Sequence, residues 1–596
     1  MVKNSIKLWG TLLLLTGIVA CTNDDMDAPN GVKGQKMAMK IQVSSSGSRT
    51  VYDAPNARAN WSVNDSIGVT STLDGDFCDA RLQRFDANNA SEVASAVFSG
   101  ELTNGGAGTY KLYAIYPYRP QVPANDVTFS LPNFQNPTAT SWDPTCDIML
   151  GQSATQSGKS SVSEATGAIT FSHMMGWAGL SFSGFDGANE EVHFVRISAS
   201  SPIAGDITAN LTAQTIDTSG ATEKYILANV YDQHVQLKDI KTHITMFPGT
   251  YANVEIAVKT SGHYIVCQRT NLTITAGQVN NITLNKSGSD LDDTDMSSVI
   301  GPQPVMTSKT DVSNGKLNVL LLGHSFGIDC TQYVPSLLQA AGVTNANVCR
   351  FYTGDCQLAW YYNYVATNTS PQNFGQSAFV NNAWVWQDNG GITVNSKLKE
   401  TPWDVVVLQQ STAGLQNVFT GCADYSTFQP WLNILLDYIS YTIQETHHKK
   451  PHICYNMITS YRANHAAMYD DIVTATRQMM AETGISHILT PATAMETART
   501  IYTDPVYAYI TRDNWHASLG IGRYLDACTW FEQLFVPIYS SAQSDITVLG
   551  NTFIPSPALG TTMSFAEDEV TPEVAATLQN IAVQTAANPF PTISTP

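Results

Sequence analysis

The chain of 596 residues has few charged residues, and few of those are positive. Charged side chains make up 14% of it, and 31 Lys and Arg stand against 50 Asp and Glu, a formal net charge of −19. A chain with this electrostatic field repels phosphate backbones and anionic membrane surfaces, which argues against nucleic-acid binding. Because charges are scarce, Ser, Thr, Asn and Gln must keep much of the surface soluble, as is common in exported proteins.

Metal and cofactor signatures are also lacking. The ten cysteines form no CxxC pair and no regular spacing, so neither a zinc site nor a disulfide framework is indicated. The run HHKKPH, which contains His447, His448 and His452, lacks paired acidic ligands and is interpreted as a solvated loop. No Gly-rich phosphate loop is present. We therefore expect no metal and no cofactor.

The apolar run at the start of the chain is too short to span a membrane. Lys3 and Lys7 precede residues 8–20, and this run is shorter than the ~20 residues that a spanning helix needs. It ends in Ile-Val-Ala-Cys21, which resembles the lipobox of a bacterial lipoprotein signal peptide. The resemblance implies lipidation of Cys21 and a tether to outer-membrane lipid, facing outward because the acidic segment 22–25 follows. The alternative is an ordinary secretory signal with a chance cysteine.

The first third of the chain after this segment is predicted to be all-β. Short β-branched or aromatic runs such as SIGVTST and EVHFVRISAS are separated by Gly, Asn, Asp and Pro, the pattern of sandwiches. Several pieces resemble the fimbrillin-like proteins: Ser48-Arg49-Thr50, WSVNDSIGV with Trp61, YAIYPY and ITFSHMMGWAGLSF. The resemblance covers residues 38–285 and implies tandem transthyretin-type sandwiches, used as pilus subunits or cell-surface modules. An unrelated sandwich spacer is the alternative.

From Lys316 onward, strand-like and helical runs alternate. LNVLLLG, ANVCRFYTGD and WDVVVLQQS have the character of buried strands, with CTQYVPSLLQAAG and FQPWLNILLDYISYTIQE as helices. This alternation predicts a parallel sheet with helices on both faces. In such sheets the ligand crevice lies beyond the carboxyl ends of the strands, where Ser325, Gly354 and Gln410 fall.

Four short blocks in this region together resemble the SGNH (GDSL-type) hydrolases. GHSF at 323–326 follows the first strand, Gly354 follows the second, QQS at 409–411 ends the third, and DNWH at 513–516 precedes the last predicted helix. The resemblance covers residues 316–540, in particular to an uncharacterised branch whose first block is Gly-Asn-Ser-Phe. It implies ester hydrolysis through an acyl-serine intermediate.

The chemistry of acyl transfer assigns roles to these blocks. A serine hydroxyl needs an imidazole to take its proton, so Ser325 would be the nucleophile and His516 the base. Asp513, three residues earlier, would fix the tautomer of His516 and stabilise the imidazolium. His465 would be an alternative base only if His516 fails.

Stabilisation of the oxyanion requires hydrogen-bond donors. We expect these to be the backbone N–H groups of Ser325 and Gly354 and a side-chain amide, which the family usually supplies from an asparagine. Gln410 is the best candidate for that amide, with Gln409 on the opposite face if the strand stays regular.

Some features depart from this interpretation. His324 replaces the usual Asp or Asn before the nucleophile, where it could perturb the loop or offer a second imidazole, and Gly327 replaces a more common serine. Ser325 could instead cap the following helix. Asp513 and His516 could likewise mark an ordinary capped helix start.

The sequence therefore predicts a multidomain protein, with an all-β tandem sandwich followed by an α/β/α parallel-sheet SGNH hydrolase-like domain. Its predicted function is that of a cell-surface serine esterase acting on acylated carbohydrate or another ester. The alternative is an adhesin or pilus-associated protein with surface or pilus partners, whose α/β domain binds a glycan and hydrolyses nothing. The predicted segments are the signal peptide (1–20), lipidated tether (21–37), β-sandwich region (38–285), linker (286–316) and hydrolase-like domain (317–596).

Overall fold

The architecture is seen in a computed structural model, in which no helix among the described residues is long and apolar enough to cross a membrane. The predicted signal peptide, the lipidation residue Cys21 and Arg49 lie outside the described residues. The structure describes residues 34–45, 51–53, 58–119, 127–165, 167–185, 187–261, 263–285, 291–294, 315–380, 383–412, 421–460, 465–502, 510–513, 515–539, 546–555 and 568–590.

The first β unit is built from strands that precede residue 174, except those at 127–131 and 134–135, which pair with strands of the second unit. Nine of the described strands form one sheet in the order β12-β8-β11-β13-β1-β7-β6-β4-β5. The strands are β1 (Lys36–Ser45), β2 (Val51–Asp53), β3 (Arg58–Asn60), β4 (Ser66–Leu73), β5 (Asp76–Phe77), β6 (Gln83–Ala87), β7 (Ala96–Thr103), β8 (Gly108–Tyr116), β9 (Val127–Leu131), β10 (Phe134–Gln135), β11 (Met149–Ser153), β12 (Gln156–Lys159) and β13 (Ile169–His173).

This sheet closes on itself, which corrects the predicted sandwich for the first unit. Strand β4 pairs with β6 on one side and with β8 on the other, so the two predicted layers are walls of one continuous sheet. The fully buried Trp61 lies inside, with its ring 5.2 Å from that of Phe98 and 5.6 Å from those of Tyr116 and Phe171. One large aromatic side chain thus fills the space between the walls.

The second β unit is a two-layer sandwich. A six-stranded sheet in the order β10-β18-β15-β20-β21-β23 faces a three-stranded sheet in the order β19-β14-β22. Strand β23 lies within the predicted linker and adds to β21, which extends that sheet by one strand. The strands are β14 (Gly176–Ser183), β15 (Val192–Ser198), β16 (Gly205–Asn210), β17 (Thr215–Asp217), β18 (Tyr225–Asn229), β19 (Thr242–Met246), β20 (Gly249–Thr260), β21 (Tyr264–Ile274), β22 (Val279–Asn285) and β23 (Leu291–Thr294).

Strand β15 is buried on both faces, and this joins the β region to the rest of the chain. Because successive side chains of a strand point to opposite faces, Val195 and Ile197 enter the sandwich core. Phe194 joins a different core, shared with the helix Trp431–His447 of the C-terminal region. The second β unit and the C-terminal region therefore pack against each other through an apolar interface.

The C-terminal region is a mixed α/β domain, with helices packed on a seven-stranded sheet in the order β27-β26-β25-β24-β28-β29-β30. The strands are β24 (Leu317–Gly323), β25 (Ala346–Tyr352), β26 (Asn373–Val380), β27 (Ala383–Asn389), β28 (Val405–Leu408), β29 (His452–Asn456) and β30 (Ile488–Leu489). The helices are α1 (Ser325–Thr331), α2 (Val334–Ala340), α3 (Leu358–Thr367), α4 (Val394–Glu400), α5 (Trp431–His447), α6 (His465–Thr483), α7 (Pro491–Ile501), α8 (Ile521–Trp530), α9 (Val536–Tyr539) and α10 (Pro572–Ala587).

The prediction of an all-parallel sheet is wrong at one edge. Strands β25, β24, β28, β29 and β30 are parallel, but β26 and β27 are antiparallel and extend the sheet beyond β25. A hairpin needs only a short connection, whereas a further parallel strand would need a crossover of a dozen or more residues.

Candidate active site

Ser325 lies at the point where a fully buried strand meets a helix. All seven residues of β24 are buried between β25 and β28, and the chain turns at Gly323 into α1. His324 occupies the N-cap position without a side-chain capping bond, and Ser325 is the first helical residue. Ser325 is therefore not the N-cap of α1, and its hydroxyl contacts another partner.

That partner is His516, which in turn contacts Asp513. The Ser325 Oγ lies 2.8 Å from His516 Nε2, and His516 Nδ1 lies 2.8 Å from Asp513 Oδ2. Because a carboxylate only accepts hydrogen bonds, Nδ1 carries the proton and Nε2 accepts from the serine hydroxyl. The structure thus brings the three predicted residues together in the order that proton transfer from serine requires.

The Asp513 carboxylate is held in place by the loop that carries it. Its Oδ1 accepts the backbone N–H groups of Trp515 at 2.6 Å and His516 at 2.7 Å. Partial burial raises the pKa of Asp513, but the hydrogen bonds from His516 and Trp515 outweigh it and the net pKa is lowered. Asp513 is therefore charged at neutral pH, as a group that stabilises an imidazolium must be.

Gln410 is not placed to bind an oxyanion with its side chain, which corrects the sequence prediction. The residue is fully buried, and its Oε1 accepts the backbone N–H groups of Leu358 at 3.0 Å and Ser411 at 3.1 Å. Its Nε2 donates to the carbonyl and hydroxyl oxygens of Thr427, both at 3.0 Å. All of the polar atoms of this amide are engaged, so Gln410 joins three loops together and leaves no free donor.

Gly354, the other residue predicted to stabilise an oxyanion, follows the carboxyl end of β25. Gly354 lies in the turn after β25, and within the described part of the chain its N–H has no hydrogen-bond partner. Gln409, expected on the opposite face, lies under the nucleophile loop with its Oε1 3.3 Å from the His324 N–H. The alternation rule fails there because β28 ends at Leu408, before either glutamine.

His324 does not offer a second catalytic imidazole. It is buried, and its Nε2–H donates to the Gln410 carbonyl at 3.4 Å. Burial lowers the pKa of His324 to about 3, so the ring is neutral. The Phe326 ring lies 5.3 Å from the His324 ring and 5.1 Å from the His516 ring, and it packs against both imidazoles.

His465, the alternative base, is engaged elsewhere. Its Nδ1 lies 2.5 Å from Glu496 Oε2, and Glu496 is also bound by Ser460 and Arg499. The Ser460 hydroxyl donates to the Glu496 carboxylate, whereas the Ser325 hydroxyl faces an imidazole. This Ser/His/Glu cluster is therefore a buried polar network rather than a second nucleophile and base.

One group of side chains could hold a soft metal ion. The ligand atoms of His452, Cys454 and His487 lie within 4.8 Å of one another. His487 Nε2–H donates to the Gln533 carbonyl at 2.7 Å, so its Nδ1 must accept from His452 Nε2, also at 2.7 Å. This hydrogen bond accounts for the two rings without an ion. His452 lies at the amino end of β29, whereas Ser325 follows the carboxyl end of β24, which runs parallel to β29. The histidine pair therefore begins at the opposite edge of the sheet from Ser325.

Sequence reasoning missed a buried ionic group beside the site. Asp329 on α1 binds Arg512, the residue before Asp513, and also Arg523 on α8. The available signal was positional: Asp329 follows Ser325 by one helical turn, and Arg512 directly precedes a predicted catalytic residue.

Two family models match separate parts of the chain. Residues 50–302 match the fimbrillin-like family, and residues 318–544 match a domain of unknown function, DUF4886. No curated protein matches the chain.

Solved structures resemble parts of the chain at low similarity. A DUF4886 family protein from Bacteroides uniformis ATCC 8492 is 23% identical, covering 46% of this chain and 96% of its own, with a TM-score of 0.37. A candidate cell adhesion protein from Bacteroides ovatus ATCC 8483 is 18% identical, covering 44% of this chain and 97% of its own, with a TM-score of 0.31. The tip fimbrial protein Mfa3 from Porphyromonas gingivalis is 5% identical, covering 44% and 98%, with a TM-score of 0.27. By its family match the N-terminal region of this chain is fimbrillin-like, and it precedes a C-terminal region that matches a domain of unknown function.

Proposed function

We propose that the C-terminal domain is a serine hydrolase of SGNH type that cleaves esters through an acyl-Ser325 intermediate. The observation that carries the proposal is the pair of 2.8 Å contacts that link Ser325 Oγ, His516 and Asp513. A hydroxyl within hydrogen-bond reach of a base, with the base held by a third group, is the arrangement that nucleophilic catalysis needs.

In the first step, His516 Nε2 takes the hydroxyl proton as Ser325 Oγ attacks the ester carbonyl. The negative charge that develops on the carbonyl oxygen is met by the backbone N–H groups of Ser325 and Gly354. The carbonyl re-forms, the C–O bond to the alcohol breaks, and His516 gives its proton to the departing alkoxide. Water then repeats the sequence on the acyl-serine, releasing the acid and restoring the Ser325 hydroxyl.

We propose acylated carbohydrate as the substrate, displayed to a protein on the cell surface. The fimbrillin-like match over residues 50–302 supports the surface location, since fimbrillin-like proteins serve as pilus subunits or surface modules. Tethering to outer-membrane lipid through Cys21 is part of the same proposal. The removed acyl group is an acetyl group in the simplest case.

The proposal is tested on the full chain with a fluorophosphonate probe, which reacts only with an activated serine. The parent should be labelled, and Ser325→Ala and His516→Ala should not. Asp513→Asn should react roughly 10⁴-fold more slowly, because the wrong imidazole tautomer then faces the serine. Ser460→Ala is the matched control, since it removes the serine of the other Ser/His/Glu cluster and should leave labelling unchanged. A labelled Ser325→Ala protein would end this mechanism.

A second candidate function is adhesion, and the fimbrillin-like match favours it. In that case the β region engages a surface or pilus partner, and the α/β domain binds a glycan without turnover. Absence of labelling in a folded parent, together with glycan binding that survives Ser325→Ala, would support the adhesin.

A further inference from the structure

Asp329 is a fully buried carboxylate one helical turn after Ser325 on α1. Both of its oxygens accept from the Arg512 Nη1 group, at 2.9 and 3.1 Å, and its Oδ1 also accepts from Arg523 Nε at 2.7 Å. Its side chain has 0% exposure, against 28% for Arg512 and 10% for Arg523. A carboxylate this deeply buried is stable only when it is paired, and here two guanidinium groups pair with it.

Arg512 ties together the loop that carries the acid and the base. Its backbone N–H donates to the His516 carbonyl at 3.1 Å, and its side chain donates to the Ala517 carbonyl. Thr511 and Ala517 form a β-bridge at the base of the same loop. The Arg512 guanidinium thus contacts both Asp329 on the nucleophile helix and the far side of the loop that holds Asp513.

Charged and titratable groups from several elements surround Asp329. Arg350 on β25 donates to the Ile328 carbonyl and to Thr331, which holds the end of α1. Burial, followed by the charge of Asp329, raises the pKa of the neighbouring Asp526 well above its usual range. Asp329 is the carboxylate that accepts hydrogen bonds from both Arg512 and Arg523.

We propose that Asp329 is a positioning residue: through Arg512 it holds the Asp513–His516 pair at hydrogen-bond distance from Ser325. The proposal deepens the hydrolase function and rests on it. Arg523 anchors the carboxylate to α8, and Arg512 transmits its position to the loop. The substitution Asp329→Asn would remove the charge and leave both arginines with one neutral acceptor, so the loop would lose its fixed distance from α1.

The test is a double-mutant cycle on the full chain with Asp329→Asn, Arg512→Met and the two combined. The rate of fluorophosphonate labelling and the kcat and KM for a small aryl ester are measured for each. We expect each single variant to lose about 100-fold in kcat, as a displacement of about 1 Å in an active site can cost, with KM little changed. The double variant should lose no more than the single ones, because both act through one contact.

Asp437→Asn serves as the matched control, since Asp437 is another buried carboxylate paired with an arginine and lies outside the site. It should lower the thermal midpoint while leaving kcat at the parental value. A folded Asp329→Asn protein whose kcat stays within twofold of the parent would overturn the proposal. Losses that multiply in the double variant would do the same, since they would mean that Asp329 does not act through Arg512.

A readout without turnover separates this proposal from the hydrolase function itself. In ¹⁵N-histidine NMR spectra, the Nδ1 proton of His516 reports its hydrogen bond to Asp513. If Asp329→Asn shifts or broadens this signal while the parent is never labelled, the positioning contact stands and the hydrolase function fails. If the signal is unchanged, the positioning role fails whatever the activity.

Discussion

The buried ion pair between the β region and the α/β domain allows a quantitative prediction. Arg196 on β15 donates to Asp437 on α5, with Nε 3.0 Å from Oδ2, and the Tyr264 hydroxyl donates to Asp437 Oδ1 at 2.8 Å. The two charged side chains are 3% and 7% exposed. Asp437→Asn would keep the shape of the side chain and remove its charge, which leaves Arg196 buried in the interface.

The expected cost follows from the contacts that remain. Removing one partner of a buried ion pair typically costs about 3–5 kcal/mol, because the other charge stays buried without compensation. Arg196 would keep Glu255 at 3.1 Å and the ring of Tyr441 at 4.0 Å, and Glu255 is 31% exposed. These contacts partly compensate the charge of Arg196, so the cost should lie at the low end of that range. We expect Asp437→Asn to lower the free energy of unfolding by about 3 kcal/mol.

The assay is urea unfolding of the full chain, followed by separate probes for the β region and the α/β domain, since a multidomain chain need not unfold in one step. Glu400→Gln is the control, because it breaks the exposed Lys397–Glu400 pair, in which Glu400 is 62% exposed. That change should cost less than about 0.5 kcal/mol. The reasoning is refuted if Asp437→Asn costs no more than Glu400→Gln. It also fails if the difference between the urea midpoints of the β region and the α/β domain is the same in the parent and in Asp437→Asn.

Two further predictions concern buried groups beside the site. Gln410→Ala should lower the free energy of unfolding by about 1–3 kcal/mol, because the buried backbone N–H of Leu358 loses its acceptor, as chemical denaturation would measure. The pKa of His324 is about 3 when folded, against 6.5 ordinarily, so the unfolded chain binds a proton that the folded one rejects and stability falls as pH decreases from 6.5 towards 3. Between pH 7 and 5 this should cost about 2 kcal/mol, and His324→Asn should lose that part of the pH dependence in unfolding titrations.

Much of the architecture could be predicted from local patterns. The turn-separated β-branched runs predicted an all-β N-terminal region, and the fimbrillin-like match confirms its family character. The alternation after Lys316 predicted an α/β domain because a strand such as LNVLLLG, in which Asn318 is the one polar residue, must be covered on both faces. These are properties of each segment by itself, which is why they can be read without the fold.

Features that depend on pairing between distant segments could not be predicted. The second pairing of β4, the antiparallel pairing of β26 with β25 and the addition of β23 to β21 each depend on which strand edges meet. A strand has the same local pattern whether one edge or both edges are paired. The sequence therefore predicted which segments are strands. It did not predict that the sheet of the first unit closes or that one edge of the mixed sheet is antiparallel.

The candidate site likewise contains residues whose place could be predicted from the sequence and one whose place could not. Ser325, Asp513 and His516 could be proposed together because the blocks that contain them resemble the SGNH hydrolases and acyl transfer needs a nucleophile, a base and an acid. The structure brings the three to hydrogen-bond distance. Gln410 was misassigned because its partners, Leu358 and Thr427, lie more than a strand away in sequence. Its chemistry fits an oxyanion donor equally well until those partners are known.

The segment VHFVRIS of β15 contains a clue that the sequence interpretation did not use. An outer sheet of a sandwich should alternate apolar and polar residues, yet every residue of β15 is buried. A strand that is buried on both faces in an antiparallel sandwich requires a second covering layer, and a buried arginine within that strand requires an acid in the covering layer. The α/β domain supplies both through α5 and Asp437, so the second β unit packs directly against the α/β domain, and this interface sets their relative orientation.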